Sequence, residues 1–253
     1  MHHIVSDGWS LDIFFRELTA LYAAFSAAEP SPLPPLKLQY GDFAHWQRTY
    51  LESAVYEQQL NYWRGALAGT SLVLELPTDR PRPTIQTHNG RHHTFHLRPD
   101  LTASLKEVST QEQATLFMLL MAAFQLMMAR YSGQDDFLVG TPIAGRSRAD
   151  VEEIIGFFLN TLVLRANLTN SPTFRDHLRQ VRKRALDAYA NQDIPIEKLI
   201  DDLNPPRDMS RNPLFQVLFA LQNMPWSGFD LPGLAVRPLD GYNQTAKNDL
   251  SLY

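Results

Sequence analysis

Residues 115–146 read TLFMLLMAAFQLMMARYSGQDDFLVGTPIAGR, and this stretch decides the fold. From Thr115 to Ala129 the run is apolar enough for a helix buried on all sides, yet shorter than the ~20 residues a bilayer span needs. Ser132-Gly133 supplies the left-handed residue that closes such a helix. Phe137 to Gly140 follows as a short apolar run, the pattern of a strand covered on both faces. A buried helix feeding a buried strand implies an α/β fold, with helices covering a mixed sheet.

Towards the N-terminus, Ser10 is placed to cap a helix whose apolar residues Leu11, Phe14, Phe15, Leu18, Leu21, Tyr22 and Phe25 share one face, stopped by PSPLPP at 30–35. A second helical stretch is expected from Asp42 to about Leu67. Leu72, Leu74 and Leu76 alternate like a short strand before the breaker PTDRPRP, and Asn89-Gly90 is read as a turn into a further strand, HHTFHL. Residues 1–98 thus hold two helices with wide apolar faces and only two weak strands, so further strands of this sheet are expected outside the sequence. The pattern restarts at Pro99, the expected boundary between a first lobe, 1–98, and a second, 99–253. There a short helix carries Leu101, Leu105 and Val108. Strand alternation from Asn160 to Leu168 puts Leu162, Leu164 and Leu168 on one face. Phe174, Leu178, Val181, Ala185 and Tyr189 define a helix whose opposite face, RQVRKR, is strongly basic. Pro195 starts a short helix, and Leu214 to Gln222 reads as a central strand.

Composition bounds the class. With 253 residues, 44% of them hydrophobic and 11% aromatic, the chain can bury a sizeable core. Its 23 basic and 27 acidic residues leave a net charge of -4, so no overall field attracts nucleic acid or an anionic membrane. The lack of cysteine excludes disulfides and thiolate chemistry on this chain and fits a reducing, cytoplasmic compartment. Nothing resembles a signal peptide.

The chemistry lies in HHIVSDG, residues 2–8. An imidazole beside a nucleophilic amine or hydroxyl can accept its proton as a bond forms. A strand-to-helix bend containing Asp7 and Gly8 can fix such a ring, Asp7 by pairing with an arginine and Gly8 by letting backbone approach closely. For a histidine pair alone, two ordinary strand histidines would be the simpler reading. A metal site is not indicated, because His45, His88, His92, His93 and His96 lie at spacings without a ligand pattern.

HHIVSDG resembles the HHxxxDG signature of nonribosomal peptide synthetase condensation domains, in the chloramphenicol-acetyltransferase-like acyltransferase superfamily. Further blocks are similar to that family in its order: YGDFAHWQ from Tyr40, residues 115–146, IGFFLNTLVLR from Ile155, NQDIPIEKLID from Asn191, RDMSRNPLFQVLFALQN from Arg207 and TAKNDLSL from Thr245. The sequence departs from the pattern at Asn248, where an aromatic is usual, and at Ile196, where Phe is usual. In the family HHxxxDG follows a substantial N-terminal portion, and more chain follows the last block, so the resemblance implies a domain truncated at both ends.

The resemblance implies two lobes around a tunnel and amide formation between two carrier-bound substrates. His3 would orient or deprotonate the acceptor amine as it attacks the donor thioester. His2 would shape the turn. Asp7 would be the structural partner of an arginine, Arg146 as first candidate and Arg211 as second. Gly8's backbone N–H is assigned to the thioester oxygen on oxyanion logic, and Asn160 faces the tunnel. No cofactor is bound by the domain itself: 4'-phosphopantetheine arrives on upstream and downstream peptidyl carrier domains, with an adenylation domain in the same synthetase. Nucleic acid and membrane are not partners. Intact histidines disfavour heterocyclisation, and DGWS, NTLVLR and SRNPLFQ favour condensation over epimerisation. A non-catalytic carrier-docking domain and a free-standing acyltransferase stand as alternatives.

Overall fold

The computed structural model describes residues 1–222, 231–236, 241 and 244–253. Seven helices and four strands are assigned among them: α1 Gly8–Ser26, α2 Tyr40–Tyr50, α3 Ala54–Leu67, α4 Pro99–Gln111, α5 Leu116–Ser132, β1 Asp136–Ile143, β2 Asn160–Asn167, α6 Phe174–Ala190, α7 Ile196–Leu203, β3 Val217–Phe219 and β4 Leu250–Leu252. The mixed α/β class expected from the sequence is the one observed.

The chain forms two compact units, each assembled from separate stretches: Met1–Tyr56 with Ile143–Asn160 and Gln222–Gly241, and Glu57–Pro142 with Thr161–Leu221 and Tyr242–Tyr253. Pro99, where the sequence pattern restarts, opens α4 within the second of these.

The second unit is built on a sheet of order β2-β1-β3-β4. β3 runs parallel to β1, with Gly140 opposite Leu218, and parallel to β4, with Phe219 opposite Leu252. Phe137 to Thr141 of β1 are buried, as expected of a strand covered on both faces. α5 buries Met118, Leu119, Met121, Ala122 and Phe124, is capped by the Thr115 hydroxyl accepting from Met118 N, and ends at Gly133 with φ 71°. Leu162, Leu164 and Leu168 are all buried, and α6 buries Leu178, Val181 and Ala185 from its apolar stripe.

Four local expectations are corrected. The helix expected from Asp42 to Leu67 is two helices, because Ser53 accepts Tyr56 N at 3.2 Å and starts α3 afresh. Leu72 to Leu76 form no strand. Their backbone groups are taken by two glutamine amides: Gln216 accepts from Leu74 N and donates to Leu72 O (2.7 and 3.1 Å), while Gln134 accepts from Glu75 N and donates to Val73 O (2.7 and 2.9 Å). The central strand expected over Leu214–Gln222 is shorter, Val217–Phe219, with backbone bonds from Asp249 N to Gln216 O and from Ala220 N to Leu252 O (both 2.9 Å) at its two ends. Asn89-Gly90 is not a turn. Asn89 makes a single antiparallel bridge to Thr245, and a Cβ on Gly90 would lie 2.7 Å from Ala246; HHTFHL is exposed and forms no strand.

The first unit is centred on the buried cluster Val151, Ile154 and Phe158, with Leu38, Tyr40 and Phe43 packed on it. In α1 the core positions are Ser10, Ile13 and Ala24, while Leu11, Phe14, Leu18 and Phe25 of the expected apolar face are exposed. The helix cap is Asp7, not Ser10: the Asp7 carboxylate accepts from Ser10 N. Among the described residues no single helix is long and apolar enough to cross a membrane.

Candidate functional site

The HHIVSDG stretch folds as one tight bend into α1. His3–Val5 make a single 3-10 turn, opened by His2, whose Nδ1 accepts from Ile4 N at 3.1 Å. Ser6 Oγ donates to His2 O at 3.1 Å, closing the bend from the other side. His3 is exposed at its surface, with Nδ1 2.7 Å from the Ser6 carbonyl oxygen. A carbonyl oxygen only accepts, so the proton sits on Nδ1 and Nε2 of the neutral ring carries the free lone pair. The ring also meets Phe157 edge-on, with centroids 5.2 Å apart.

Asp7 anchors the bend to a distant stretch of chain. Its Oδ1 accepts from Ser10 N (2.8 Å), Ser10 Oγ (2.7 Å) and Arg146 Nη2 (3.3 Å), and its Oδ2 from Phe158 N (3.0 Å). Burial by itself would raise the Asp7 pKa. The backbone N–H groups of Ser10 and Phe158, the Ser10 hydroxyl and Arg146 outweigh it and hold the carboxyl below its usual range.

Arg146 is the matching hub. Its Nη1 donates to Val151 O at 2.6 Å and Ile154 O at 2.7 Å, Nη2 also reaches Ser10 Oγ at 3.0 Å, and the guanidinium lies 4.0 Å from the Phe158 ring centre. A planar fork can serve two carbonyls and a carboxylate while stacking on an aromatic face; an ammonium cannot. Burial pulls the Arg146 pKa down, and Asp7 opposes that.

The loop carrying these carbonyls is shaped by two glycines. Gly145 has φ +66°, and a Cβ there would come within 1.8 Å of Phe158 O. A Cβ on Gly156 would lie 2.2 Å from the Tyr40 ring. Tyr40 Oη donates to Phe157 O at 2.8 Å and Trp9 Nε1 to Glu152 O at 2.9 Å, fastening the same loop to α2 and α1.

His2, His3, Asp7, Gly8 and Arg146 are therefore brought together. Gly8 is the first residue of α1, where N–H groups have no acceptor within the helix. Asn160 opens β2, two residues beyond Phe158. Arg211 is not the partner of Asp7; it pairs with Glu75 at 3.0 Å and Asp208 at 2.8 Å in the second unit. Sequence reasoning missed Ser10 as more than a cap. Its buried hydroxyl contacts Asp7, Arg146 and both the N–H and the carbonyl of Gly156, its one proton being shared between Asp7 Oδ1 and Gly156 O. Asn248, one of the two departures from the family pattern, is buried as an amide: it accepts from Asn212 Nδ2 at 2.7 Å and approaches Ser251 Oγ at 3.3 Å.

The family model described as "Condensation domain" matches residues 1–252. The chain belongs to the condensation-domain family. This condensation domain is 50% identical over 254 aligned residues to a linear gramicidin synthase of Brevibacillus parabrevis, and 44% identical over 252 to gramicidin S synthase 2 of Brevibacillus brevis. It spans all of its own length in both but only 3% and 6% of theirs. Among solved structures, the X-domain from teicoplanin biosynthesis matches with a TM-score of 0.89 at 30% identity, over 99% of this chain and 57% of that one. The first condensation domain of the CDA synthetase matches in fold with a TM-score of 0.71 at 22% identity, over 92% of this chain and 50% of that one.

Proposed function

We propose that the condensation domain to which these residues belong is an acyltransferase that joins two substrates carried as thioesters on phosphopantetheine arms. The acceptor's α-amine attacks the donor's thioester carbonyl; a C–N bond forms, the C–S bond breaks and the donor arm leaves as its thiol. The observation carrying this reading is the His3 Nδ1 contact to Ser6 O at 2.7 Å, which leaves Nε2 as an exposed acceptor for an amine N–H. Because a thioester is already activated, positioning of the amine contributes at least as much as removal of its proton. The N–H of Gly8 at the start of α1 suits the developing oxyanion, and Asn160 is assigned to the wall of the substrate channel. Asp7 and Arg146 act indirectly, by holding the bend. On this reading the partners are an upstream and a downstream carrier domain and an adenylation domain, working in the cytoplasm.

The test is dipeptide formation between two loaded carriers by the complete protein and its His3→Ala variant, followed by mass spectrometry, with circular dichroism to verify folding. A product yield cut on the order of a hundredfold or more is expected; an unchanged yield from a folded variant refutes the assignment.

A second reading is favoured by one observation. A complex of an X-domain with OxyB from teicoplanin biosynthesis matches this chain with a TM-score of 0.87 at 30% identity. The same fold can thus present a docking surface to another protein, and a domain used only for docking would be indifferent to His3→Ala.

A further inference from the structure

The helix α6 carries more positive charge than its packing uses. Within the second unit, α3, β2 and α6 line a half-open cleft of about 420 Å³ whose walls include Tyr62, Trp63, Arg165, Lys183, Arg184 and Asp187. Two of its three cations are neutralised. Arg165 is forked onto Asp136, with Nε to Oδ1 at 2.8 Å and Nη2 to Oδ2 at 2.5 Å. Lys183 reaches Asp187, one turn further along α6, at 2.7 Å. Arg184 has no such carboxylate. Among the described residues it makes no ion pair, and its hydrogen bond runs from Nη1 to the Arg165 carbonyl at 2.9 Å. Burial, and then the neighbouring Arg165 guanidinium, push the Arg184 pKa down, while Asp136, whose carboxylate is already forked by Arg165, acts in the opposite sense. Tyr62 stands at the same place. Burial and then Asp187 push its phenol up to about 12, with Arg184 acting in the opposite sense, so its hydroxyl remains a neutral hydrogen-bond donor.

A partly buried cation with no carboxylate of its own loses hydration and gains little pairing in return. An anion entering the cleft would supply the missing partner, and a guanidinium fork matches the paired oxygens of a carboxylate or phosphoryl group. The volume falls in the range of small-molecule sites, roughly 300–1,000 Å³, which leaves room for an apolar body beside the anionic group. We propose that this cleft is a binding site for a small organic anion, its oxygens held by Arg184 and the Tyr62 hydroxyl and its apolar part lying along the half-buried Tyr62 side of the cleft. None of these residues belongs to the HHIVSDG bend or to the Arg146 network, so the site stands or falls independently of the role given to His3.

The test is calorimetric titration of the full-length protein with phenyl phosphate, benzoate, inorganic phosphate and, as the uncharged analogue, benzyl alcohol. Saturable binding of phenyl phosphate or benzoate is expected, the tighter of the two naming the headgroup, with inorganic phosphate weaker and benzyl alcohol silent. Arg184→Gln should weaken binding by about tenfold to a hundredfold, whereas Lys183→Gln, which removes an exposed and already paired charge, should leave it within about threefold. Should Arg184→Gln fail to fold, the indole N–H resonances of the unmutated protein replace it: Trp63 should shift on titration while Trp9 and Trp46 do not. No saturable binding of either organic anion, equal binding of benzyl alcohol, undiminished affinity in a folded Arg184→Gln, or an unmoved Trp63 resonance overturns the proposal.

Discussion

Arg146 Nη2 lies 3.3 Å from Asp7 Oδ1, with the two side chains only 1% and 2% exposed. The pair joins the HHIVSDG bend to a loop 139 residues further along the chain. A buried ion pair offsets its desolvation only when the remaining lone pairs and protons are also used, and here they nearly all are: Asp7 accepts two backbone N–H groups and a hydroxyl, and Arg146 donates to two carbonyls. The His3 geometry depends on this, because the bend has no buried residue of its own in its 3-10 turn.

Breaking one half of the pair should therefore cost more than an ordinary surface charge change. Arg146→Met leaves the Asp7 carboxylate buried without its cation and should destabilise by about 3–5 kcal/mol. Arg146→Lys should recover little of that, since one ammonium cannot reach both carbonyls and Asp7. Urea unfolding of the two variants measures both. Equal stability of Arg146→Lys and the parent would contradict the role given to the planar fork.

Gly145 sets the loop that supplies those carbonyls. Gly145→Ala places a methyl group 1.8 Å from Phe158 O at a φ of +66°, and should lower stability by at least about 2 kcal/mol. Gly8→Ala is the control. Nothing lies within 4 Å of a Cβ there, so its unfolding free energy from the same urea titration should change by no more than about 0.5 kcal/mol.

Burial of His177 should give the protein a pH-dependent stability. The ring is 1% exposed on α6, and burial, followed by Arg184, pushes its pKa down from 6.5 to about 4. Between those values the unfolded chain binds a proton that the folded one refuses, so stability is full above about pH 6.5 and falls as the pH drops towards 4. The loss is on the order of 3 kcal/mol at most. His177→Leu should flatten this limb of a stability-versus-pH curve. Asp7 acts in a lower window: its contribution is present above about pH 4 and is lost as the pH falls through its depressed pKa. Asp7→Asn should remove that more acidic limb alone.

Much of the fold could be read from local signals, and what could not has a physical reason. The buried α5, its Gly133 end, the covered β1 and the apolar stripe of α6 are each set by side chains a few residues apart. The Leu72–Leu76 stretch alternates as a strand would, but its partners are the amides of Gln216 and Gln134, and no periodicity in one stretch reports a side-chain clasp from another. The break between α2 and α3 had a signal in Ser53, overridden by the continuity of the aromatic spacing. In the site, the pairing of Asp7 with Arg146 was legible only through the family resemblance, because the two residues lie 139 positions apart and no local pattern joins them. Ser10 was read as a cap because serine before an apolar run usually is one, while its contacts to Gly156 depend on residues 146 positions away.

The tautomer of His3 tests the account most directly. Selective 15N labelling of histidine, with the His3 signals assigned by substitution and read by two-bond 1H–15N correlation in the complete protein at a pH where the ring is neutral, identifies which nitrogen is protonated. The predicted result is a protonated Nδ1 and a bare Nε2, as its contact to the Ser6 carbonyl requires. A ring protonated on Nε2 would contradict the account, because it would offer an incoming amine a donor where an acceptor is needed.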